Sequence, residues 1–223
     1  MGDGFNRSYV GLRREIWSRV PEGADRILDV GASDGTLGSF LLDQRQGREV
    51  FGVEGDAAMA ATAATRLTGV HHGDVDALDW ENVGNAGAFD CMIFADILEH
   101  LRDPWSALAS ACGRLAPGGT VVISVPNIRH ASAAWSIFVA GSFPRRSRGV
   151  FDDTHLRWFT PRDARALCDQ AGLRVTAVDY NFRWFDRVGG IVNRIVSAQR
   201  WLRYVPIARD LLAYQVVLVA TKR

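Results

Sequence analysis

Short apolar runs alternate along this chain with segments rich in alanine and leucine. The runs have the length of buried strands, and the segments between them suit helices by propensity. The runs lie at residues 26–30, 50–53, 69–72, 91–95, 120–125, 174–180 and 215–221. Strands that alternate with helices at this spacing predict an α/β fold with a doubly wound, mainly parallel sheet.

Four helices are predicted between these strands, at residues 36–44, 56–67, 104–115 and 161–171. The last has the clearest start, because Thr160 can serve as N-cap, Pro161 fits the first helical position, and Asp163 can return a bond to the cap. Gly172 ends it. The Pro-Gly-Gly run at 117–119 predicts a tight turn before the fifth strand.

The N-terminal 25 residues predict an amphipathic helix. Apolar side chains recur there at helical spacing, with arginines between them, until Pro21 ends the pattern. These apolar residues are Tyr9, Leu12, Ile16 and Val20. The helix is expected to precede the first strand and to pack on the sheet.

Two insertions interrupt the later part of the chain, at residues 129–159 and 182–213. The first insertion is rich in aromatic residues and has no acidic residue up to Gly149. It carries four arginines there: Arg129, Arg145, Arg146 and Arg148. The second has an apolar helical face made of Val188, Ile191, Val192, Ile195, Val196 and Leu202. We expect a single domain over 1–223, partly covered by these two caps.

Composition excludes several classes of protein. The chain of 223 residues is 48% hydrophobic with a formal charge of +1, which lacks the basic excess of a general nucleic-acid binder. Cys91, Cys112 and Cys168 are too widely spaced for a metal clip or a disulfide framework. No leader-like segment and no run near the ~18 apolar residues of a membrane span is found. A cytoplasmic protein is expected, and the sequence has no signal for an oligomeric state.

The segment ILDVGASDGTLG, residues 27–38, has the pattern of a strand, a glycine turn and a helix start. Gly31 and Gly35 remove Cβ atoms where a ligand approaches the backbone, and Ser33 adds a hydroxyl. The helix that follows offers amide donors at its positive end. Asp29 is interpreted either as bracing the loop or as meeting an ammonium group through water.

Two further acidic positions follow later strands in the same order. Glu54 comes about 20 residues after Gly31, at the spacing where a carboxylate binds ribose hydroxyls. Asp74 and Val75 follow the third strand, where they are expected to contact an adenine. Singly, each acidic residue is equally well explained as a helix cap. Together the three sites favour a nucleoside ligand.

These motifs, DVGASDG, VEGD, GDV, FDCMIFADILEHLRDP and LAPGG, resemble those of class I S-adenosylmethionine (SAM)-dependent methyltransferases over residues 26–125. The resemblance implies SAM as cofactor and a seven-stranded mixed sheet whose last strand is antiparallel. The family commonly has glycine where Ser33 stands, and often cysteine where Ala32 stands. The cofactor-binding residues that it implies are Asp29, Gly31, Ala32, Ser33, Gly35, Glu54, Gly55, Asp74, Val75 and Ala95.

The segment DDTHLRWFTPRDARALCDQAGL, residues 152–173, resembles a group of such enzymes from bacterial cell-surface glycan or natural-product pathways. That resemblance implies a small-molecule acceptor, a sugar or a phosphate-containing group among the options, rather than a nucleic acid.

The fourth strand ends at Asp96, and a helix starting there would place Asp96, Glu99 and His100 on one face. With His155 they could hold a divalent metal. The pattern resembles the acidic-x-x-Glu-His motif of metal-using small-RNA and quinone-precursor methyltransferases, although Asp96 is shorter than the glutamate found there. Alternatively, Glu99 and His100 lock this segment to neighbouring loops by hydrogen bonds.

His155 is the preferred candidate for a general base, and His100 is the second, because imidazole exchanges protons near neutral pH. The alternative for His155 is a loop anchor beside Trp158 and Phe159. Arg157 and Arg129 are candidate contacts for an anionic substrate group. Further substrate hints, each also explained by surface or core packing, are Arg145, Arg146, Arg148, Arg183, Arg187, Trp135, Phe138, Phe143, Trp158, Trp184 and Phe185.

The sequence therefore predicts methyl transfer from SAM to a hydroxyl or an amine of a small molecule. One alternative is a noncatalytic methyltransferase-like subunit whose segment 188–202 docks a partner or contacts a membrane surface peripherally. The other is a nicotinamide-dependent oxidoreductase, which is disfavoured because residues 31–35 lack the GxGxxG spacing.

Overall fold

A computed structural model of the chain describes residues 11–85, 87–183, 193, 199, 201 and 204–223. The described part contains seven strands: β1 (Arg26–Val30), β2 (Glu49–Glu54), β3 (Gly69–His72), β4 (Phe89–Ala95), β5 (Leu115–Pro126), β6 (Leu173–Phe182) and β7 (Ala213–Lys222). They form one sheet in the order β3-β2-β1-β4-β5-β7-β6. The first five strands are parallel, and β7 runs antiparallel to β5 and β6. The predicted seven-stranded mixed sheet is confirmed.

The helices are α1 (Arg14–Trp17), α2 (Thr36–Asp43), α3 (Ala57–Ala64), α4 (Pro104–Cys112), α5 (Ala131–Phe138), α6 (Pro161–Gln170) and α7 (Pro206–Leu212). Among the described residues, 3-10 turns lie at Val75–Ala77, Trp80–Asn82 and Leu98–His100. At α6, the side chains of Thr160 and Asp163 each accept a bond from the other's backbone N–H, both at 3.2 Å. This is the capping box that the sequence predicts.

Alternate residues of the central strands pack on opposite faces of the sheet. Leu28 and Met92 belong to one buried cluster, together with side chains of α4 and α6. Ile27 and Cys91 belong to a second cluster, together with Ile16 and side chains of α2. Because successive side chains of a strand point to opposite faces, this alternation buries the sheet between two helical layers.

Some boundaries differ from those predicted. Strand β5 includes the Pro-Gly-Gly run, where Gly118 has a φ of 72°. The run forms an irregularity between Leu115, which pairs with Phe89, and Thr120, which pairs with Cys91. Pairing with β4 on both sides of the turn makes the strand longer than its apolar stretch.

The N-terminal helix is shorter than predicted within the described residues. Helix α1 ends at Trp17, although Ile16 and Val20 are buried as expected. Leu12, which the predicted apolar face includes, is 49% exposed. Tyr9 lies outside the described residues.

The second insertion is described only in part. Trp184, Phe185, Arg187 and the apolar face predicted within 188–202 lie outside the described residues. All three cysteines are buried free thiols. No described helix combines the length and hydropathy needed to cross a membrane.

Candidate active site

The loop after β1 is a tight turn held against β2. Gly31 has a φ of 79° and Ser33 a φ of 51°. The N–H groups of Gly31 and Ala32 both donate to the carbonyl of Val53, at 2.8 and 3.0 Å. A Cβ on Gly31 would lie 3.2 Å from Ile97, which follows β4. The turn is therefore enclosed between β2 and the segment after β4, and glycine at position 31 is needed for both its φ and its space.

The end of the turn leads into α2. Gly35 is the N-cap of this helix, and a Cβ there would lie 3.0 Å from the Cα of Ala63 in α3. The hydroxyl oxygen of Ser33 is buried and has no hydrogen-bond partner. A buried hydroxyl without a partner is unfavourable in the free protein, and a polar ligand atom would relieve that cost.

Glu54, the last residue of β2, extends its carboxylate to this turn. It accepts a bond from the Ser33 N–H and another from the Asp56 N–H, both at 2.8 Å. These two bonds hold the carboxylate at the carboxyl edge of the sheet. The alternative interpretation of Glu54 as a helix cap does not apply, because Asp56 is the N-cap of α3.

Asp29 lies beneath the same turn. The residue is 2% exposed, and burial, together with the negative charge of Glu54, raises the pKa of Asp29 to about 7. Because this pKa is close to neutral pH, a positive charge placed beside Asp29 would lower it and favour the ionised carboxylate.

Asp74 follows β3 and serves as a cap. Its carboxylate accepts a bond from the Asp76 N–H at 3.0 Å and from the guanidinium of Arg102 at 3.1 Å. Val75 is buried in the core cluster, and the carbonyl of Gly55 contacts His72 Nε2 at 3.2 Å. The interpretation of Asp74 as a cap of the following turn therefore accounts for its carboxylate. Contact between Asp74 and the adenine of a cofactor stays a prediction.

The segment after β4 differs from its prediction. No α-helix begins at Asp96, which has a φ of 56°, and a 3-10 turn covers Leu98–His100. The prediction that Asp96 shares a helical face with Glu99 and His100 is wrong, because a left-handed residue breaks the helical repeat. Ala95, the last residue of β4, pairs with Ser124 of β5.

The Asp96 carboxylate is the centre of a polar network. The hydroxyl of Ser124 donates to it at 2.8 Å, the side-chain amide of Gln215 at 2.6 Å, and the guanidinium of Arg13 at 2.5 Å. Sequence reasoning missed Arg13, Ser124 and Gln215, which come from three separate parts of the chain. The three donors occupy both oxygens of Asp96, so this residue does not serve as a metal ligand in the conformation observed.

Glu99, His100 and His155 lie together beside this network. One ligand atom from each of the three residues falls within 4.8 Å of the others. The two imidazole rings meet edge to face, with centroids 4.8 Å apart. The N–H groups of Leu156 and Arg157 donate to the Glu99 carbonyl at 2.8 and 3.0 Å, and so attach the His155 loop to the segment after β4.

The hydrogen bonds of the two imidazoles involve their Nδ1 atoms. The Thr154 hydroxyl donates its proton to Asp152 at 2.6 Å, so at its 3.0 Å contact with His100 it accepts from Nδ1. The Val150 carbonyl, 3.3 Å from Nδ1 of His155, can only accept. In the neutral His155 ring the lone pair is therefore assigned to Nε2.

Burial shifts the pKa values of all three groups. It lowers the pKa of His100 and of His155, which favours neutral imidazoles. Burial, together with the charge of Asp96, raises the pKa of Glu99 well above its usual range. Both carboxylate oxygens of Glu99 are buried and lack a hydrogen-bond partner. The cluster thus offers two neutral nitrogen bases and a carboxyl that nothing in the described residues satisfies.

The two arginines predicted to contact substrate have partners inside the protein. Arg129 pairs with Asp210 at 2.8 Å. Arg157 donates to the carbonyls of Leu156 and Arg102. Contact of either arginine with a substrate stays a prediction, and would require the side chain to exchange or share these partners.

A seven-stranded sheet of this order, with a glycine turn after β1 and an acidic residue ending β2, defines the class I SAM-dependent methyltransferase fold. The chain belongs to the methyltransferase domain family, since the family model of that description matches residues 7–178. It is therefore a SAM-dependent methyltransferase, and the alternative of a nicotinamide-dependent oxidoreductase is not supported.

Relatives of this chain include enzymes that carry a named activity. A ubiquinone biosynthesis O-methyltransferase of Ruegeria pomeroyi is 31% identical over 199 residues, which cover 86% of this chain and 74% of the relative. An uncharacterized methyltransferase of Mycobacterium tuberculosis is 28% identical over 156 residues, covering 66% of this chain and 76% of the relative.

Solved structures share the fold at low sequence identity. A SAM-dependent methyltransferase from Archaeoglobus fulgidus has a TM-score of 0.63 and 16% identity, covering 92% of this chain and 90% of the other. One from Mesorhizobium loti has a TM-score of 0.63 and 15% identity, covering 92% and 95%. At this identity the likeness shows the fold alone.

Proposed function

We propose that this methyltransferase transfers the methyl group of SAM to a hydroxyl oxygen of a small molecule. A neutral amine attacks the sulfonium methyl group without assistance, whereas a hydroxyl needs a base or a metal to become nucleophilic. The cluster of Glu99, His100 and His155 beside the Asp96 network could supply either form of assistance. This cluster is the observation that carries the proposal.

In the proposed complex, each part of the sheet edge binds one part of the cofactor. The turn at 31–35 binds the methionine portion, and the hydroxyl of Ser33 is available for one polar contact. Glu54 accepts bonds from the ribose hydroxyls, and Asp74 from the adenine amine. Ile97 packs against Gly31, so the segment after β4 lies next to the proposed position of the cofactor. This supports an acceptor position on the same side.

In the proposed reaction, the acceptor oxygen forms a bond to the methyl carbon while the bond from that carbon to sulfur breaks. The hydroxyl proton passes to Nε2 of His155 or to His100, and S-adenosylhomocysteine leaves. The residues mainly hold acceptor and methyl in line and exclude water. Neutral imidazoles, kept so by burial, are in the protonation state that accepts a proton at neutral pH.

The same cluster fits a divalent metal. Its donors are one carboxylate and two imidazoles, and each imidazole has its Nδ1 engaged with a carbonyl or hydroxyl, as metal-ligating histidines do. The unsatisfied Glu99 carboxylate is the observation that favours a cation here. Glu99, His100 and His155 would hold the ion, which would act as a Lewis acid on the acceptor hydroxyl.

We further propose that the acceptor is a sugar or a phosphate-containing molecule. The run of arginines without acidic residues at 129–148 supports this. Guanidinium groups bind phosphate by paired hydrogen bonds.

Pairs of acceptors that differ only in oxygen or nitrogen test the proposed function. The purified protein is incubated with methyl-labelled SAM and with phenol and aniline, with catechol and 1,2-diaminobenzene, and with hexose phosphates and their amino-sugar counterparts, in which mass spectrometry locates the labelled position. We expect label in the hydroxyl member of at least one pair, at a rate well above its amine. Methylation of amines alone would overturn the assignment of oxygen as the acceptor.

The buried carboxyl of Asp29 predicts a pH dependence of cofactor binding. With a pKa near 7 it is protonated at pH 6 and ionised at pH 8, and the positive charges of SAM favour the ionised form. Binding should therefore tighten as pH rises, by about tenfold between pH 6 and 8. Calorimetry on wild type and Asp29→Asn measures this, and the variant corrects for titration of SAM itself. An equal slope in both proteins would contradict the role of Asp29.

A further inference from the structure

Helix α5, in the first insertion, has apolar side chains on two opposite faces. Ala133 and Ile137 face inward and belong to a small cluster with Val150, Phe151 and Tyr214. This inner face attaches the helix to the rest of the protein.

The outer face of α5 presents large apolar groups to solvent. Trp135 and Phe138 are 65% and 83% exposed, and Val139, which follows the helix, is also exposed. Phe143, in the loop after the helix, is 53% exposed and packs edge to face against Trp158, with ring centroids 5.1 Å apart. We call these five side chains the aromatic cap surface. Exposed apolar groups of this size, grouped together, mark an interaction surface.

A second apolar face lies beside it, on α7. Ile207 and Leu211 are one turn apart and exposed, and Ile207 is 74% exposed. Arg129, just before α5, pairs with Asp210 of α7 at 2.8 Å, and so joins the two elements.

The loop that follows α5 is rich in exposed arginine, although Asp152 and Asp153 lie against it: the Asp153 N–H donates to the Arg146 carbonyl at 2.7 Å. Between Asp103 and Asp152 the sequence has no acidic residue, while Arg145, Arg146 and Arg148 are all exposed. Asp152 is buried, and Asp153 is the first exposed acid after the run. With a formal charge of +1 for the whole chain, this concentration of arginine is local.

We propose that the aromatic cap surface binds the surface of an anionic membrane, with Trp135 and Phe138 inserted among the headgroups and Arg145 and Arg148 paired with lipid phosphates. Tryptophan and phenylalanine with adjacent basic residues are typical of interfacial helices. Helix α5 has eight residues and so spans about 12 Å, far less than a bilayer, which favours a helix lying on the membrane. Each basic residue near an anionic bilayer adds attraction.

This surface adjoins the candidate acceptor site. The indole N–H of Trp158 donates to the Val150 carbonyl at 3.1 Å, and Nδ1 of His155 is 3.3 Å from the same carbonyl. Membrane binding through the aromatic cap surface would therefore place the acceptor side of the enzyme near the lipid headgroups. The proposal itself does not depend on the acceptor being a hydroxyl.

Cosedimentation of the full chain with vesicles tests the proposal. We expect binding to vesicles of phosphatidylcholine containing 30% phosphatidylglycerol, and at least tenfold weaker binding to phosphatidylcholine alone. The double variants Trp135→Ser with Phe138→Ser, and Arg145→Glu with Arg148→Glu, should each reduce anionic vesicle binding at least tenfold. Because all four side chains are exposed, these variants should keep the wild-type melting temperature and SAM affinity.

Trp105→Ser is the matched control, since Trp105 is a partly exposed tryptophan on α4, outside the aromatic cap surface. It should bind vesicles like wild type. Unchanged vesicle binding in both double variants, or equal binding to neutral and anionic vesicles, would overturn the proposal. So would a wild-type dimer in size-exclusion chromatography that the Trp135 and Phe138 variant converts to monomer, since the surface would then serve contact between two copies.

Discussion

Replacing Glu54 by alanine is expected to weaken SAM binding at least about 100-fold. Hydrogen bonds to a charged group contribute about 1.5–3 kcal/mol each, and the proposed complex has two, from the ribose hydroxyls. The alanine variant also removes the acceptor for the Ser33 N–H, so the glycine turn loses part of its support. Isothermal titration calorimetry with SAM and with S-adenosylhomocysteine measures the loss.

Glu49→Ala is the matched control for this prediction. Glu49 begins the same strand at its opposite end, where it pairs with Arg26 at 3.4 Å on the surface. Its replacement should leave SAM affinity within about twofold of wild type, because surface ion pairs contribute little. Circular dichroism establishes that the Glu54 variant is folded. Affinity near that of wild type in a folded Glu54→Ala protein would refute the assigned ribose contact.

Replacing His155 by alanine is expected to lower kcat by about 100-fold or more while SAM affinity stays unchanged. Loss of a general base costs about 10²–10⁴ in rate, and loss of a metal ligand would also reduce activity. Because His155 lies at the proposed acceptor position, we expect the cofactor contacts to remain intact. Single-turnover methyl transfer, with cofactor affinity determined separately, distinguishes chemistry from binding.

Metal removal distinguishes the two roles of His155. If it acts as a base alone, exhaustive chelation leaves wild-type activity intact. If His155 binds a metal, chelation should lower the activity of the wild type towards that of the His155→Ala variant. An added divalent ion should then restore the activity of the wild type only. His71→Ala, on the edge strand β3, serves as the histidine control and should keep full activity. A kcat for His155→Ala within threefold of wild type would exclude both roles.

The fold was predictable because its signals are local. Apolar runs between turn residues identified every strand of the sheet, and strands 26–30 and 69–72 match to the residue. The Thr160 capping box depends on residues three positions apart, so spacing alone reveals it. Strand ends were less predictable, because β5 is lengthened by pairing with β4, which lies elsewhere in the sequence.

The cofactor edge was also accessible from sequence, because each motif immediately follows its own strand. In a parallel sheet the carboxyl ends of adjacent strands meet at one edge, so the order of the motifs places Gly31 and Glu54 together. The structure adds the direct bond from the Ser33 N–H to the Glu54 carboxylate.

The acceptor side was decided by tertiary structure. A helical repeat grouped Asp96 with Glu99 on one helical face, but the left-handed backbone at Asp96 breaks that repeat, and Arg13, Ser124 and Gln215 bind its carboxylate. Those donors lie far from Asp96 in sequence, so residue spacing could not predict that they contact its carboxylate. The sequence by itself determined the sheet, the glycine turn and its carboxylate, whereas packing between distant segments decided which groups surround the candidate acceptor site.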